Sequence, residues 1–297
     1  MIAAQTLGIR GVDLVYDVRG PLPTRDGRPP LVMIGQPMDA SGFGALASHF
    51  PDRTVVTYDP RGIGRSTRSD GRVDHDPLVQ AGDVHELITA LGAGPLDMFA
   101  SSGGAVTALA LVATHPTDVL VLVAHEPPIL GVLPDRDGAE RALGQVGAAY
   151  RAGGLGAGMA AFIAMTSWPG VFTQEYFDRP LPTPSQYGMS AVDSGSRDDP
   201  LLSGRSAAVT AYLPDFAALA ASPTRIVIAV GEESLGLVAA RAAAVVAERL
   251  HQQPTVFPSH HGGFVGGDHP FAGQPEAFAR RLRAALAGNG ADQPGPG

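Results

Sequence analysis

The sequence predicts an α/β fold with a mostly parallel central sheet, flanked by helices and interrupted by one largely helical segment. Three observations carry that expectation. Short continuous apolar runs, the mark of strands buried on both faces, alternate with helix-length segments. The alternation stops after Glu126 and resumes at residue 224, and no comparable buried strand is legible between about 127 and 222. The chain has 297 residues, enough for one large domain with a substantial core.

The elements follow in order. "VDLVYDVRG" (12–20) reads as an early strand and "PLPTRDGRPP" (21–30) as a Pro/Gly loop. "LVMIG" (31–35) is a buried strand, a helix is expected near 40–49, and "TVVTYD" (54–59) is the next strand. Leu78, Val84, Leu87, Ile88 and Leu91 mark a helix near 76–92. The strand "LDMFA" (96–100) leads into a helix near 103–115, and "VLVLVAH" (119–125) is again a buried strand. After the helical insertion come "TRIVIAVG" (224–231), a helix near 236–250, "PTVFPS" (254–259) and a helix near 275–287. The expected organisation is a core of 1–126 and 223–288, a helical cap of 127–222, and a disordered tail of 289–297 with the composition "GNGADQPGPG" around it.

Composition narrows the partners. Apolar residues make up 44% and charged residues 17%, as in globular proteins. The net charge of −8 without a basic run argues against nucleic acid. No run is long enough to span a membrane, and the start lacks a basic-then-apolar leader pattern, so a cytoplasmic protein is expected. There is no cysteine, which excludes disulfides and thiolate metal sites. No cofactor or metal is expected. Self-association into a homo-oligomer is neither required nor excluded by the sequence.

The stretch "LDMFASSGGAVTALALVATHP" (96–116) joins a buried strand to a helix through Ser-Ser-Gly-Gly. In a parallel α/β sheet, ligands bind beyond the carboxyl ends of the strands. A sharp strand-to-helix turn that lifts a side chain into that crevice needs small neighbours two positions away, the logic of G-x-S-x-G. Ser102 is flanked by Ala100 and Gly104, whereas Ser101 is flanked by Phe99 and Gly103. Ser102 is therefore the candidate nucleophile, at a helix N-terminus that favours developing negative charge. A serine merely capping an inert turn would leave a similar local sequence.

Three further stretches resemble the α/β-hydrolase superfamily and occur in its order. "YDPRGIGRS" (58–66) is similar to its D-x-R-G-x-G-x-S segment, expected to be structural through Asp59 and Arg61. "LVMIGQPMDASGF" (31–43) is similar to its oxyanion strand and loop, with Ile34 in place of the usual His. "FPSHHGGF" (257–264) resembles the late loop that carries the catalytic histidine. The resemblance implies a serine hydrolase with His261 as base, His260 being the runner-up. It places the oxyanion hole at the backbone N–H groups of Gln36 and Gly103; Gln36 could instead be an ordinary loop residue whose side chain faces solvent.

The acid departs from the usual pattern. "GEES" (231–234) carries Ser234 where an Asp is expected, with Glu232 and Glu233 out of register. Glu126 in "VAHEPPI" resembles the alternative acid of some haloalkane dehalogenases and of the zearalenone-type lactonases, which have a similar His-Glu-x-Pro turn and a Ser-Ser-Gly elbow. An unpaired carboxylate at the end of an apolar strand is costly, so a partner such as His261 would explain it. Glu126 is preferred and Glu233 is second. Through an acyl-enzyme, such a set would cleave a carboxylic ester or lactone of a small apolar molecule. C–C, thioester or perhydrolase chemistry, or a non-catalytic small-molecule binding protein, are the alternatives. Met159, Phe162, Met165, Trp168, Phe172 and Tyr176 are among the insertion's apolar residues, most of which belong in a core.

Overall fold

The computed structural model describes residues 2–267 and 271–288. The expected disordered tail, 289–297, lies outside the described residues.

Among the described residues, nine strands form one sheet. They are β1 (Ile2–Ile9), β2 (Val12–Arg19), β3 (Leu31–Gln36), β4 (Val55–Tyr58), β5 (Thr67–Arg68), β6 (Leu96–Ser102), β7 (Val119–His125), β8 (Arg225–Gly231) and β9 (Thr255–Phe257). The spatial order is β1-β2-β4-β3-β6-β7-β8-β9, with β5 paired to β2. From β4 to β9 every neighbouring pair is parallel. β1 and β2 form an antiparallel hairpin, and β2 joins β4 antiparallel. β1 and β5 have no counterpart among the expected strands. β1 is an edge strand with largely exposed residues, so it lacks the continuous apolar run that betrays a buried one.

Helices cover both faces: α1 (Gly44–Ser48), α2 (Pro77–Leu91), α3 (Gly103–Thr114), α4 (Arg136–Thr166), α5 (Gln174–Asp178), α6 (Ala207–Ala211), α7 (Phe216–Ala221), α8 (Val238–Arg249) and α9 (Pro275–Leu286). Successive side chains of a strand point to opposite faces. Val32, Ile34, Met98 and Ala100 accordingly pack in a large core with α2, α3 and α8, while Leu31, Met33 and Phe99 pack in a smaller one with α1 and α9. This two-sided burial is why these strands read as unbroken apolar runs.

Between β7 and β8 the described residues form helices, turns and loops and no strand. The long helix α4 kinks at Gly154 (φ 73°). Its Ala139, Ala142, Val146, Tyr150 and Met165 continue the large core, so this segment is packed onto the sheet domain. Among the described residues, no helix is long and apolar enough to cross a membrane.

The Asp59–Ser66 segment, which follows β4, is a hydrogen-bonded knot. Asp59 accepts from the Ala40 N–H at 3.0 Å and the Arg65 N–H at 2.7 Å. Arg61, buried, pairs with Asp83 and with Asp70. Ser66 Oγ donates to the Asp59 carbonyl at 2.7 Å and accepts from the Val15 N–H.

Candidate active site

Parallel registry brings several strand ends to one edge. Gln36 lies beside Ser102, Ser101 beside His125, and His125 beside Ala229. Four non-glycine residues have positive φ among the described residues: Ser102, Glu126, His251 and Ser259. A left-handed backbone at a side-chain-bearing residue costs on the order of 1–3 kcal/mol. Three of the four surround this edge, so the strain is concentrated there.

Ser102 has φ 56° and ψ −129° and makes no capping hydrogen bond with its side chain. It is therefore not the stabilising cap that an inert turn would contain. Ser101, the adjacent residue on the strand, points the other way: it is 1% exposed and its Oγ lies 3.2 Å from His125 Nδ1. Strand alternation thus separates the two serines that the sequence leaves side by side. The turn depends on Gly104, where a Cβ would lie 2.7 Å from both the Gly35 Cα and the Ile34 carbonyl oxygen.

Gly103 begins α3, and a Cβ there would fall 2.8 Å from Gln36 Cγ and 3.0 Å from the Gln36 carbonyl oxygen. The two residues expected to form an oxyanion hole are thus in close contact. The Gln36 side chain does not face solvent, contrary to the second reading of the sequence. It is 2% exposed, and both its amide nitrogen and oxygen are buried without a hydrogen-bond partner among the described residues.

Glu126 follows the last residue of β7 and is 1% exposed. Its Oε1 accepts from the Gly231 N–H at 2.8 Å, and its Oε2 lies 2.5 Å from His261 Nδ1. Burial alone would raise its pKa. The hydrogen bond and charge of His261, with the Gly231 N–H, outweigh burial and lower it to about 2. Burial likewise works against the charged form of His261, but the hydrogen bond and charge of Glu126 prevail and raise its pKa above 6.5. With Nδ1 committed to Glu126, Nε2 is the nitrogen left to act as base.

The other candidates are elsewhere. Glu232 and Glu233 are exposed; Glu232 accepts from the Ser259 N–H at 3.2 Å, and Glu233 contributes its backbone N–H to the Ser259 carbonyl. Ser234 is buried, its hydroxyl unpartnered among the described residues. His260 Nδ1 accepts from the Gly262 N–H at 3.0 Å, a bond within its own turn. His125, the first residue of the His-Glu-Pro-Pro turn and given no role from the sequence, lies fully buried behind Glu126, its Nε2 3.9 Å from Oε1.

Of the apolar residues in the insertion, Met165, Phe172 and Tyr176 are buried in the core. Trp168, Tyr176, Arg179 and Tyr187 line a hollow of about 570 Å³ that none of the candidate catalytic residues borders. At the opposite, N-terminal end of β7, His85 Nδ1 lies 2.7 Å from Asp118 and its ring stacks on His115 at 3.8 Å and 12°. Nearly parallel rings do not aim their in-plane lone pairs at one point, so these three groups are a hydrogen bond and a stack rather than a shaped metal site.

This architecture, with a strained serine turn after a central parallel strand and a carboxylate–histidine pair at the same edge, defines the α/β-hydrolase class. The comparisons agree, and the chain belongs to the α/β-hydrolase family. Residues 37–152 match the model of the alpha/beta hydrolase fold. The chain is 30% identical over 267 residues to the uncharacterized hydrolase YraK of Bacillus subtilis, covering 88% of this chain and 90% of that one. A thermophilic esterase from Thermogutta terrifontis superposes with a TM-score of 0.61 at 21% identity, over 98% of this chain and 100% of that one. An alpha/beta hydrolase from Sphaerobacter thermophilus gives 0.60 at 20% identity, over 95% and 100%. At such identities the two structures speak for the fold alone.

Proposed function

We propose that the protein is a serine hydrolase acting on a carboxylic ester or lactone of a small apolar molecule. The observation that carries this reading is the 2.5 Å contact between His261 Nδ1 and the buried Glu126 carboxylate, with a strained Ser102 turn at the carboxyl end of the neighbouring parallel strand. It gives an imidazole a defined tautomer and a stabilised cationic form, which is what a serine nucleophile needs from its base.

His261 Nε2 takes the Ser102 hydroxyl proton as Oγ attacks the substrate carbonyl. The Gln36 and Gly103 backbone N–H groups receive the oxyanion, with the N-terminus of α3 adding its dipole. Glu126 balances the imidazolium. Collapse expels the alcohol, which takes the proton from His261, and leaves an acyl-Ser102. Water, deprotonated by His261, then attacks the acyl carbonyl; the acyl–Oγ bond breaks, Ser102 Oγ takes the proton back from His261, and the acid leaves. A serine rather than an aspartate nucleophile favours acyl transfer over dehalogenation or epoxide opening. The serine nucleophile and the position of Glu126, which resembles that of the acid in lactonases of the zearalenone type, support the substrate class. Residues 127–222 serve as the cap that shapes the acyl pocket.

The test is a fluorophosphonate probe together with a p-nitrophenyl ester. Ser102 is expected to carry the label and to give burst release, and the folded Ser102→Ala variant to do neither. Labelling at Ser101, or unchanged turnover in Ser102→Ala, overturns the reading. A panel of esters, lactones and thioesters then ranks the substrates.

A further inference from the structure

His125 is a polar side chain in an apolar cage. It is 0% exposed, and its ring meets those of Phe99, Phe257, Phe264 and Phe278 at centroid distances of 5.3–6.3 Å. Burying an imidazole among four phenyl rings costs free energy that a phenylalanine would avoid. The serine-hydrolase reading gives this residue no task.

Its two nitrogens face different partners. Nδ1 is 3.2 Å from Ser101 Oγ. Nε2 is buried without a hydrogen-bond partner among the described residues and lies 3.9 Å from Glu126 Oε1. Electrostatics chooses the tautomer. With the proton on Nδ1, a bare Nε2 lone pair would face a carboxylate across a gap of low dielectric, which is repulsive. With the proton on Nε2, its N–H dipole faces the anion and the Ser101 hydroxyl donates to Nδ1. At 3.9 Å this is a charge–dipole contact rather than a hydrogen bond.

Resting on the proposed roles of Ser102, Glu126 and His261, we propose that His125 is a positioning residue: a neutral imidazole whose Nε2–H, with the Gly231 N–H, pins Glu126 Oε1 so that Oε2 stays on His261. The titratable groups around it are Glu126, His260 and His261. The faces presented by β6, β9, α9 and the Phe264 turn are phenyl rings. Burial depresses its pKa to about 4, with His261 and His260 acting in the same direction and Glu126 opposing. Neutrality matters to the role. A protonated His125 would form its own ion pair with Glu126 and compete with His261 for the carboxylate. The phenyl cage and the two neighbouring histidines prevent that, and Ser101 holds the ring in the useful tautomer.

The test begins with the wild-type protein, labelled with ¹⁵N-histidine. His125 is expected as the Nε2–H neutral tautomer, without titration from pH 5 to pH 9. An Nδ1–H tautomer, or titration within that range, overturns the proposal whether or not any variant folds. Variants then separate positioning from packing. His125→Phe keeps the shape and removes the N–H; kcat should fall by about 10-fold or more with KM unchanged, and the downfield Nδ1–H resonance of His261 should weaken or move upfield. His125→Gln restores an N–H near the same place and should recover most of both. A folded His125→Phe protein with wild-type kcat and an unchanged resonance overturns the proposal, as does a folded His125→Gln no better than Phe. Fluorophosphonate labelling in the same samples keeps a failure here distinct from a failure of the Ser102 assignment.

Discussion

Replacing Glu126 by Gln changes one atom and should nearly silence the enzyme. Both carboxylate oxygens are in use, Oε1 by the Gly231 N–H at 2.8 Å and Oε2 by His261 Nδ1 at 2.5 Å. A glutamine has one acceptor oxygen for two donors. The Gly231 N–H is a fixed backbone group, and leaving it unpaired in the interior costs about 1–3 kcal/mol. The amide oxygen therefore stays on Gly231 and the NH₂ turns to His261 Nδ1. That donor forces the imidazole proton onto Nε2, the nitrogen that accepts from Ser102 in the proposed mechanism. The charge that balances imidazolium is lost as well. The corresponding Asp→Asn exchange in a serine protease lowers kcat by about 10⁴, equivalent to about 5 kcal/mol in activation free energy. The assay is p-nitrophenolate release at saturating ester, with a thermal melt to establish folding. Glu233→Gln, at an exposed position, is the control and should stay within about twofold of wild type. A folded Glu126→Gln protein losing less than about tenfold would refute the reasoning, as would a larger loss in Glu233→Gln.

Further expectations follow from the same contacts. The proposed base, His261, must be neutral to act, and Glu126 raises its pKa, so kcat/KM should fall with acid around a midpoint above 6.5. The depressed Glu126 pKa contributes stability that is present above 4.5 and lost as pH falls toward about 2. The raised His261 pKa contributes stability that is full below 6.5 and lost as pH climbs through its folded value. The pair's contribution to Tm should therefore peak between pH 4.5 and 6.5, and a Tm–pH difference profile against Glu126→Gln should show that maximum. Gly104→Ala places a methyl against the β3 backbone, which cannot retreat without breaking its ladder to β6; urea unfolding should show a loss of about 2–3 kcal/mol, or the protein should be insoluble. Arg61→Met strands the buried Asp83 carboxylate and should cost about 3–5 kcal/mol, most of it recovered when Asp83→Leu is added.

The order of the parallel strands and their helices is written in local patterns. Burial on both faces demands runs such as "LVMIG" and "VLVLVAH", and these fall on β3 and β7 within one residue. The small residues around Ser102 are equally local, because a strained turn excludes Cβ atoms at set offsets. The hairpin strand β1 was not legible, since an exposed edge imposes no such apolar run. What local patterns could not decide is which distant groups meet. Glu126 and His261 are separated by 135 positions, and "HEPP" and "GEES" offered rival carboxylates to the same histidine. Only the parallel registry of β6, β7 and β8 carries Glu126 onto the Gly231 N–H and His261 while leaving Glu232 and Glu233 outside. Likewise, only the pleat of β6 turns Ser101 inward to His125 and leaves Ser102 on the opposite side of the strand. Sequence records what each residue needs from its neighbours along the chain. The site is made of interactions between strand ends, and those exist only once the sheet has set its register.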